Sequence, residues 1–170
     1  IFAVIDHYRF SGDASFVAGM WPTVLKSVDY MQALRHRRMT PEYQAPDKRA
    51  FYGLLPESMS HEGYMAHPVH SYWDDFWAIR GFKDAAAMAA IQGEAAQCER
   101  ITTLSADFQG TLTCSLNVVI QEHGLDFVPG SVEFADFDPS ATSIAITVAD
   151  ALPQLPRSFV DQTYDKYMEG

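Results

Sequence analysis

The 170-residue chain has only two cysteines, and it has no apolar run of the roughly 18 residues that a membrane-spanning helix needs. Cys98 and Cys114 fall within one predicted helix, about 24 Å apart along its axis, which is too far for a disulfide. We therefore expect two free, buried thiols and no membrane span. No signal peptide is recognisable either.

Positive charge is also scarce, since 12 Lys and Arg stand against 22 Asp and Glu, giving a formal net charge of −10. A nucleic-acid-binding domain presents a basic face. The single basic cluster, residues 35–38, is instead typical of a helix C-terminus. We expect no nucleic-acid partner. The hydrophobic content of 48% and charged content of 20% indicate one compact domain over residues 1–170.

No segment has a convincing strand pattern, whereas six segments repeat apolar residues at helical spacing. The predicted helices cover residues 1–10, 14–37, 72–91, 94–123, 138–148 and 157–168. Short turns join these helices in pairs, and two long loops, residues 38–70 and 124–138, connect one pair to the next. The pattern predicts an all-α fold of three antiparallel hairpins with both long loops on one face.

The stretch from Gly53 to Lys83 concentrates the side chains that a site for a polar substrate requires. It contains three His, two Glu, two adjacent Asp and two Trp. Within it, Ser71 and Asp74 are spaced as a capping box, which makes Ser71 the predicted N-cap of a helix. Capping accounts for Asp74, while Asp75 fits either the helix dipole or a role in a site.

Two kinds of catalytic site are missing from this stretch. His61, His67 and His70 lack the i, i+4 spacing of a metal-binding pair on a helix. Neither Ser58 nor Ser60 lies in the G-x-S-x-G elbow of a serine hydrolase. We therefore expect no metal and no other cofactor.

Four parts of the chain carry a more specific pattern. They are the helix–SGD–helix start and the segments GLLPESMSHEGY, HSYWDDFWAIRGFKDAA and VPGSVEFADFDPSATSIAI. Together they resemble the catalytic domains of bacterial six-hairpin glycosidases, the (α/α)₆ toroids that include glucoamylase, trehalase, α-L-rhamnosidase and cellobiose phosphorylase. The resemblance extends over nearly the whole chain, and it favours a periplasmic or secreted location.

A complete toroid has six hairpins, and this chain supplies three. It also begins in mid-pattern with Ile1 rather than Met. We therefore expect a piece of about half a toroid. Hairpin faces that would contact the other half would then be available for self-association.

The resemblance implies a glycoside hydrolase that acts on an oligosaccharide, a polysaccharide or a glycoside with inversion, although phosphorolysis stays open. Inversion needs a carboxylic acid and a carboxylate base about 6.5–9.5 Å apart. The candidate catalytic residues are Glu62 or Asp75 as the acid and Glu133 as the partner carboxylate.

Other residues of the two long loops are expected to bind the substrate. Aromatic rings of this kind either stack on sugar rings or pack in the core. The alternative function is a non-catalytic helical-hairpin module that binds carbohydrate or another protein. The candidate substrate-binding residues are Tyr64, His67, His70, Tyr72, Trp73, Asp74, Trp77 and Asp136.

Overall fold

The computed structural model describes residues 1–60, 64 and 66–169. Within these ranges the chain forms six α-helices and no β-strand, which confirms the predicted all-α class. Each helix end lies within one residue of its predicted position. The helices are α1 Phe2–Ser11, α2 Ala14–His36, α3 Tyr72–Gln92, α4 Ala95–His123, α5 Pro139–Thr147 and α6 Arg157–Glu169.

Local capping explains where several of these helices begin or end. The Asp13 carboxylate accepts a hydrogen bond from the Phe16 backbone N–H at 3.0 Å, which starts α2. Asp138 does the same for Ser140 and Ala141 at the start of α5. At the other end, α4 stops at Gly124, whose φ of 62° is a left-handed conformation that favours glycine.

The start of α3 is different, and the predicted capping box there is wrong. Ser71 precedes the helix, but its side chain caps no N–H, and its buried hydroxyl has no hydrogen-bond partner in the described part of the chain. The first helical N–H, that of Tyr72, donates instead to the carbonyl of Gly130 at 3.0 Å. The second long loop therefore satisfies this first N–H, because it lies against the helix end.

Helix α3 lies at the centre of the fold and packs against α1, α2, α4 and α5. Most sides of α3 itself carry apolar or small residues, as expected for a helix that is buried nearly all round. Phe82 meets Phe108 of α4 edge-to-face, with ring centroids 6.1 Å apart. The other large apolar side chains that α3 buries completely are Tyr72, Phe76, Ile79 and Met88.

The two long loops meet at the N-terminal end of α3, as predicted. Ser71 and Ser131 form an isolated antiparallel bridge between the loops. The Val132 N–H donates to the His70 carbonyl at 3.1 Å. We call this shared face, made by the described residues of 38–71 and by residues 124–138, the rim. Closure of the hairpins into a toroid stays a prediction.

The structure also tests the expectations of two buried thiols and of no membrane-spanning helix. Both thiols are free, but the prediction that both are buried is wrong, because Cys114 is exposed and Cys98 is only partly buried. Within the described residues, no helix combines the length and apolar character that crossing a membrane requires.

Candidate functional site

The rim carries a polar groove of about 300 Å³ where the first long loop faces the second. Both charge signs and two aromatic rings line it, so it offers donors, acceptors and apolar surface at one place. Its lining residues are Arg38, Tyr43, Lys48, Phe51, Glu57, Pro68, His70 and Glu133.

Glu133 and His70 are joined by two hydrogen bonds in this groove. His70 Nδ1 lies 2.7 Å from Glu133 Oε1, and the His70 backbone N–H donates to Glu133 Oε2 at 2.9 Å. Burial would raise the pKa of Glu133, but the hydrogen bonds from His70 outweigh it, so the pKa of this carboxyl lies below its ordinary value. Glu133 is therefore ionised at neutral pH, and its side chain remains 30% exposed.

Arg38 and Glu57 form a second pair across the same groove. The Arg38 guanidinium donates to Glu57 Oε2, and it lies over the Tyr43 ring at 5.1 Å from the centroid. The backbone N–H of Glu57 and the nearby Arg38 charge lower the pKa of Glu57, although partial burial opposes them. Both glutamates of the groove are thus held in the ionised form.

A second, more apolar groove of about 580 Å³ adjoins the first, and Glu57 lines both. It contains two predicted site residues, Asp74 and Trp77. Asp74 accepts hydrogen bonds from the hydroxyls of Ser58 at 2.6 Å and Ser60 at 2.9 Å. Its carboxylate therefore fastens the first long loop to α3 instead of capping the helix.

Tyr64 and Asp136 join the two loops at a third point. The Tyr64 hydroxyl donates to Asp136 Oδ2 at 2.7 Å, and Ser131 donates to Oδ1 of the same carboxylate. Burial raises the pKa of Tyr64 well above its ordinary value, so the hydroxyl keeps its proton. In this structure these two predicted substrate-binding residues bind each other.

Two other predicted site residues lie in the core rather than at the rim. The Tyr72 side chain is fully buried, and its hydroxyl shares a hydrogen bond with Ser115 at 2.8 Å. Asp75 is 1% exposed and accepts the Leu55 backbone N–H at 3.0 Å. Burial raises the pKa of Asp75 well above its ordinary value, but a ligand in either groove does not reach it.

The remaining candidates lie apart from the polar groove. Trp73 lines a separate cleft of about 350 Å³ beside α5 and α6. The exposed ring of His67 lies edge-on to Phe134, with centroids 6.3 Å apart. Glu62 lies outside the described residues. The structure therefore brings together three pairs of predicted site residues, namely His70 with Glu133, Asp74 with Trp77, and Tyr64 with Asp136.

Sequence reasoning missed Arg38, Tyr43 and Glu57 as members of the polar groove. Arg38 was assigned to the end of α2, and Tyr43 falls in a loop without any recognisable motif. Glu57 lies inside the central stretch, so its carboxylate was the one signal available. Nothing in the local sequence indicates that these three side chains converge.

No group of three or more His, Cys, Asp or Glu side chains in the described ranges is arranged to hold a metal ion. No protein-family model, curated protein or solved structure matches this chain. The residues of the rim are therefore the basis for assigning a function.

Proposed function

We propose that the rim binds a carbohydrate and that the intact protein cleaves a glycosidic bond with inversion. The observation that carries this proposal is the polar groove, where the glutamates Glu57 and Glu133 lie with the rings of Tyr43 and Phe51. Carboxylates and a guanidinium bind sugar hydroxyls through directed hydrogen bonds, and aromatic rings pack on the apolar face of a sugar. This combination suits a neutral, polyhydroxylated ligand better than an anion or a hydrophobic molecule.

Within this proposal Glu133 is the base. Its pKa is lowered and its side chain is partly exposed, so it is ionised and can be reached by the water that attacks the anomeric carbon. The acid must carry a proton that it gives to the leaving oxygen. Since Asp75 is enclosed in the core, Glu62, the other candidate from the sequence, is the residue to test in this role.

The test compares amide variants of the intact protein on a panel of oligosaccharides and aryl glycosides. Glu133→Gln keeps the shape of the base but cannot accept a proton, so turnover should fall by about 10²–10⁴-fold on every substrate. Glu62→Gln should lower turnover on natural glycosides by a similar factor, but far less on aryl glycosides with a good leaving group. Glu99→Gln, on the exposed surface of α4 at the end far from the rim, is the matched control. Normal turnover of Glu133→Gln would refute the proposal.

A second function is favoured by one specific observation. Both glutamates of the polar groove are paired with cations or hydrogen-bond donors, Glu57 with Arg38 and Glu133 with His70. Such pairing holds a binding surface rigid without any need for catalysis, as in a carbohydrate-binding module. Calorimetric binding of glycans by the intact protein, with no hydrolysis of any of them, would favour this alternative.

A further inference from the structure

Three residues of the polar groove form one continuous hydrogen-bonded chain across the rim. Arg38 Nε lies 2.9 Å from His70 Nε2, and His70 Nδ1 lies 2.7 Å from Glu133 Oε1. Arg38 follows α2, His70 precedes α3 and Glu133 belongs to the loop after α4, so the chain joins three separate parts of the fold. The His70 side chain is 8% exposed, and water therefore has little access to its ring nitrogens.

The chemistry of arginine decides which ring nitrogen of His70 carries the proton. A guanidinium nitrogen is always a donor and has no lone pair to accept a hydrogen bond. His70 Nε2 must therefore accept from Arg38, which requires a lone pair on Nε2. The proton of the neutral ring then resides on Nδ1, where it donates to Glu133. Neutral histidines free in water have no such constraint and populate both tautomers.

Other charged groups also surround the His70 ring. Glu133 and Glu57 both face His70, the latter with Oε2 at 3.6 Å from Nε2. Both carboxylates are acceptors only, so neither of them donates a hydrogen bond to the ring, whereas Arg38 does. Lys48 and Tyr43 line the groove as well, but Lys48 is paired with Glu42. Arg38 is thus the group in direct contact that keeps Nε2 unprotonated.

We propose that Arg38 is a positioning residue, which fixes His70 as the neutral Nδ1–H tautomer so that His70 holds both oxygens of Glu133 in one orientation. The two donors of His70, Nδ1–H and the backbone N–H, each occupy one lone pair of the carboxylate. The remaining lone pairs point elsewhere and are available to a water or a sugar hydroxyl. The tautomer assignment stands on geometry alone, whereas its value for catalysis rests on the proposed function.

Long-range ¹H–¹⁵N NMR spectra of ¹⁵N-histidine-labelled protein test this assignment directly. The two ring nitrogens have well-separated shifts when one is protonated and the other is not. The His70 signals are assigned by their loss in His70→Gln. In the native protein near neutral pH we expect a protonated Nδ1 and an unprotonated Nε2 for this residue. An Nε2–H tautomer would overturn the proposal without any further variant.

Variants then separate the influence of Arg38 from that of Glu133. Glu133→Met removes the carboxylate and offers His70 neither a strong acceptor nor a donor, so His70 should keep its proton on Nδ1 if Arg38 decides. Arg38→Met combined with Glu133→Met should release the ring to a mixture of tautomers. Arg37→Met removes the same charge one residue away and should leave the His70 spectrum unchanged. A proton that moves to Nε2 in Glu133→Met alone would show that Glu133 decides, and would overturn the role of Arg38.

Activity gives an independent readout. In Arg38→Met the tautomer of His70 is no longer fixed, so the Glu133 carboxylate loses its single orientation and kcat should fall, though by less than in Glu133→Gln, while KM changes little. A native kcat in Arg38→Met, with the expected tautomer seen by NMR, would overturn the positioning role of Arg38. Retained turnover in Glu133→Gln would instead refute the proposed function and leave the tautomer assignment untouched.

Discussion

Gly130 offers the sharpest test of how the two long loops are joined. Its backbone N–H donates to the Asp136 carbonyl at 3.0 Å, and its carbonyl accepts from Tyr72 at the start of α3. A methyl group built on Gly130 would lie 2.5 Å from Asp138 Cβ and 2.8 Å from the Tyr64 hydroxyl. Both distances are far inside van der Waals contact, so Gly130→Ala forces the loop or its neighbours to move.

The magnitude follows from what must move. Overpacking of this kind costs about 1–3 kcal/mol. Displacing the Tyr64 hydroxyl also weakens its hydrogen bond to Asp136, which contributes about 1 kcal/mol. We therefore expect Gly130→Ala to lower the free energy of unfolding by about 2–3 kcal/mol.

Gly110→Ala is the matched control. Gly110 lies inside α4, and a methyl group there meets nothing within 4 Å. The same substitution should therefore stabilise the protein by about 0.5–1 kcal/mol, because alanine loses less backbone entropy in a helix than glycine does.

Urea unfolding followed by circular dichroism measures both variants, with an unchanged m value as the check that the transition remains two-state. The two substitutions should shift the midpoint in opposite directions. If Gly130→Ala is as stable as the native protein, the loops are not joined as closely at this point as the structure indicates.

Two further changes test single side chains by the same unfolding assay. Ser71→Ala should leave stability unchanged or raise it slightly, since the buried hydroxyl has no partner in the described residues. Asp13→Ala should cost about 1 kcal/mol by removing a working cap. Equal losses of unfolding free energy in Ser71→Ala and Asp13→Ala would contradict this prediction. Asp75→Asn should change the pH dependence. Because the pKa of Asp75 is raised by burial, the folded state binds more protons than the unfolded state above about pH 4, and native stability falls as pH rises through this window. The amide of Asp75→Asn still accepts the Leu55 N–H but does not titrate. The variant should therefore gain stability relative to the native protein as pH rises from acidic to neutral. Unfolding free energies of the two proteins that run parallel with pH would contradict this prediction.

The sequence alone was sufficient for the helices and for the meeting of the long loops. Helical spacing of apolar residues, aspartate caps such as Asp13 and Asp138, and glycine stops such as Gly124 act through neighbours only a few positions away. Because these interactions join residues that are close in the chain, the sequence alone reveals them. The alternation of short and long connections then placed both loops at one end of antiparallel hairpins.

Tertiary packing decided what each site residue does. His70 and Glu133 were both predicted as site residues, but nothing in the sequence pairs them, because they are 63 positions apart. Asp75 follows Asp74 directly, yet the rotation of about 100° per residue along α3 sends Asp75 into the core and leaves Asp74 at the rim. Ser71 does not make its predicted capping bond, and the Tyr72 N–H at the same helix end donates to the carbonyl of Gly130 from a distant loop. Contacts between distant segments depend on how α3 is surrounded, and a local pattern does not contain that information.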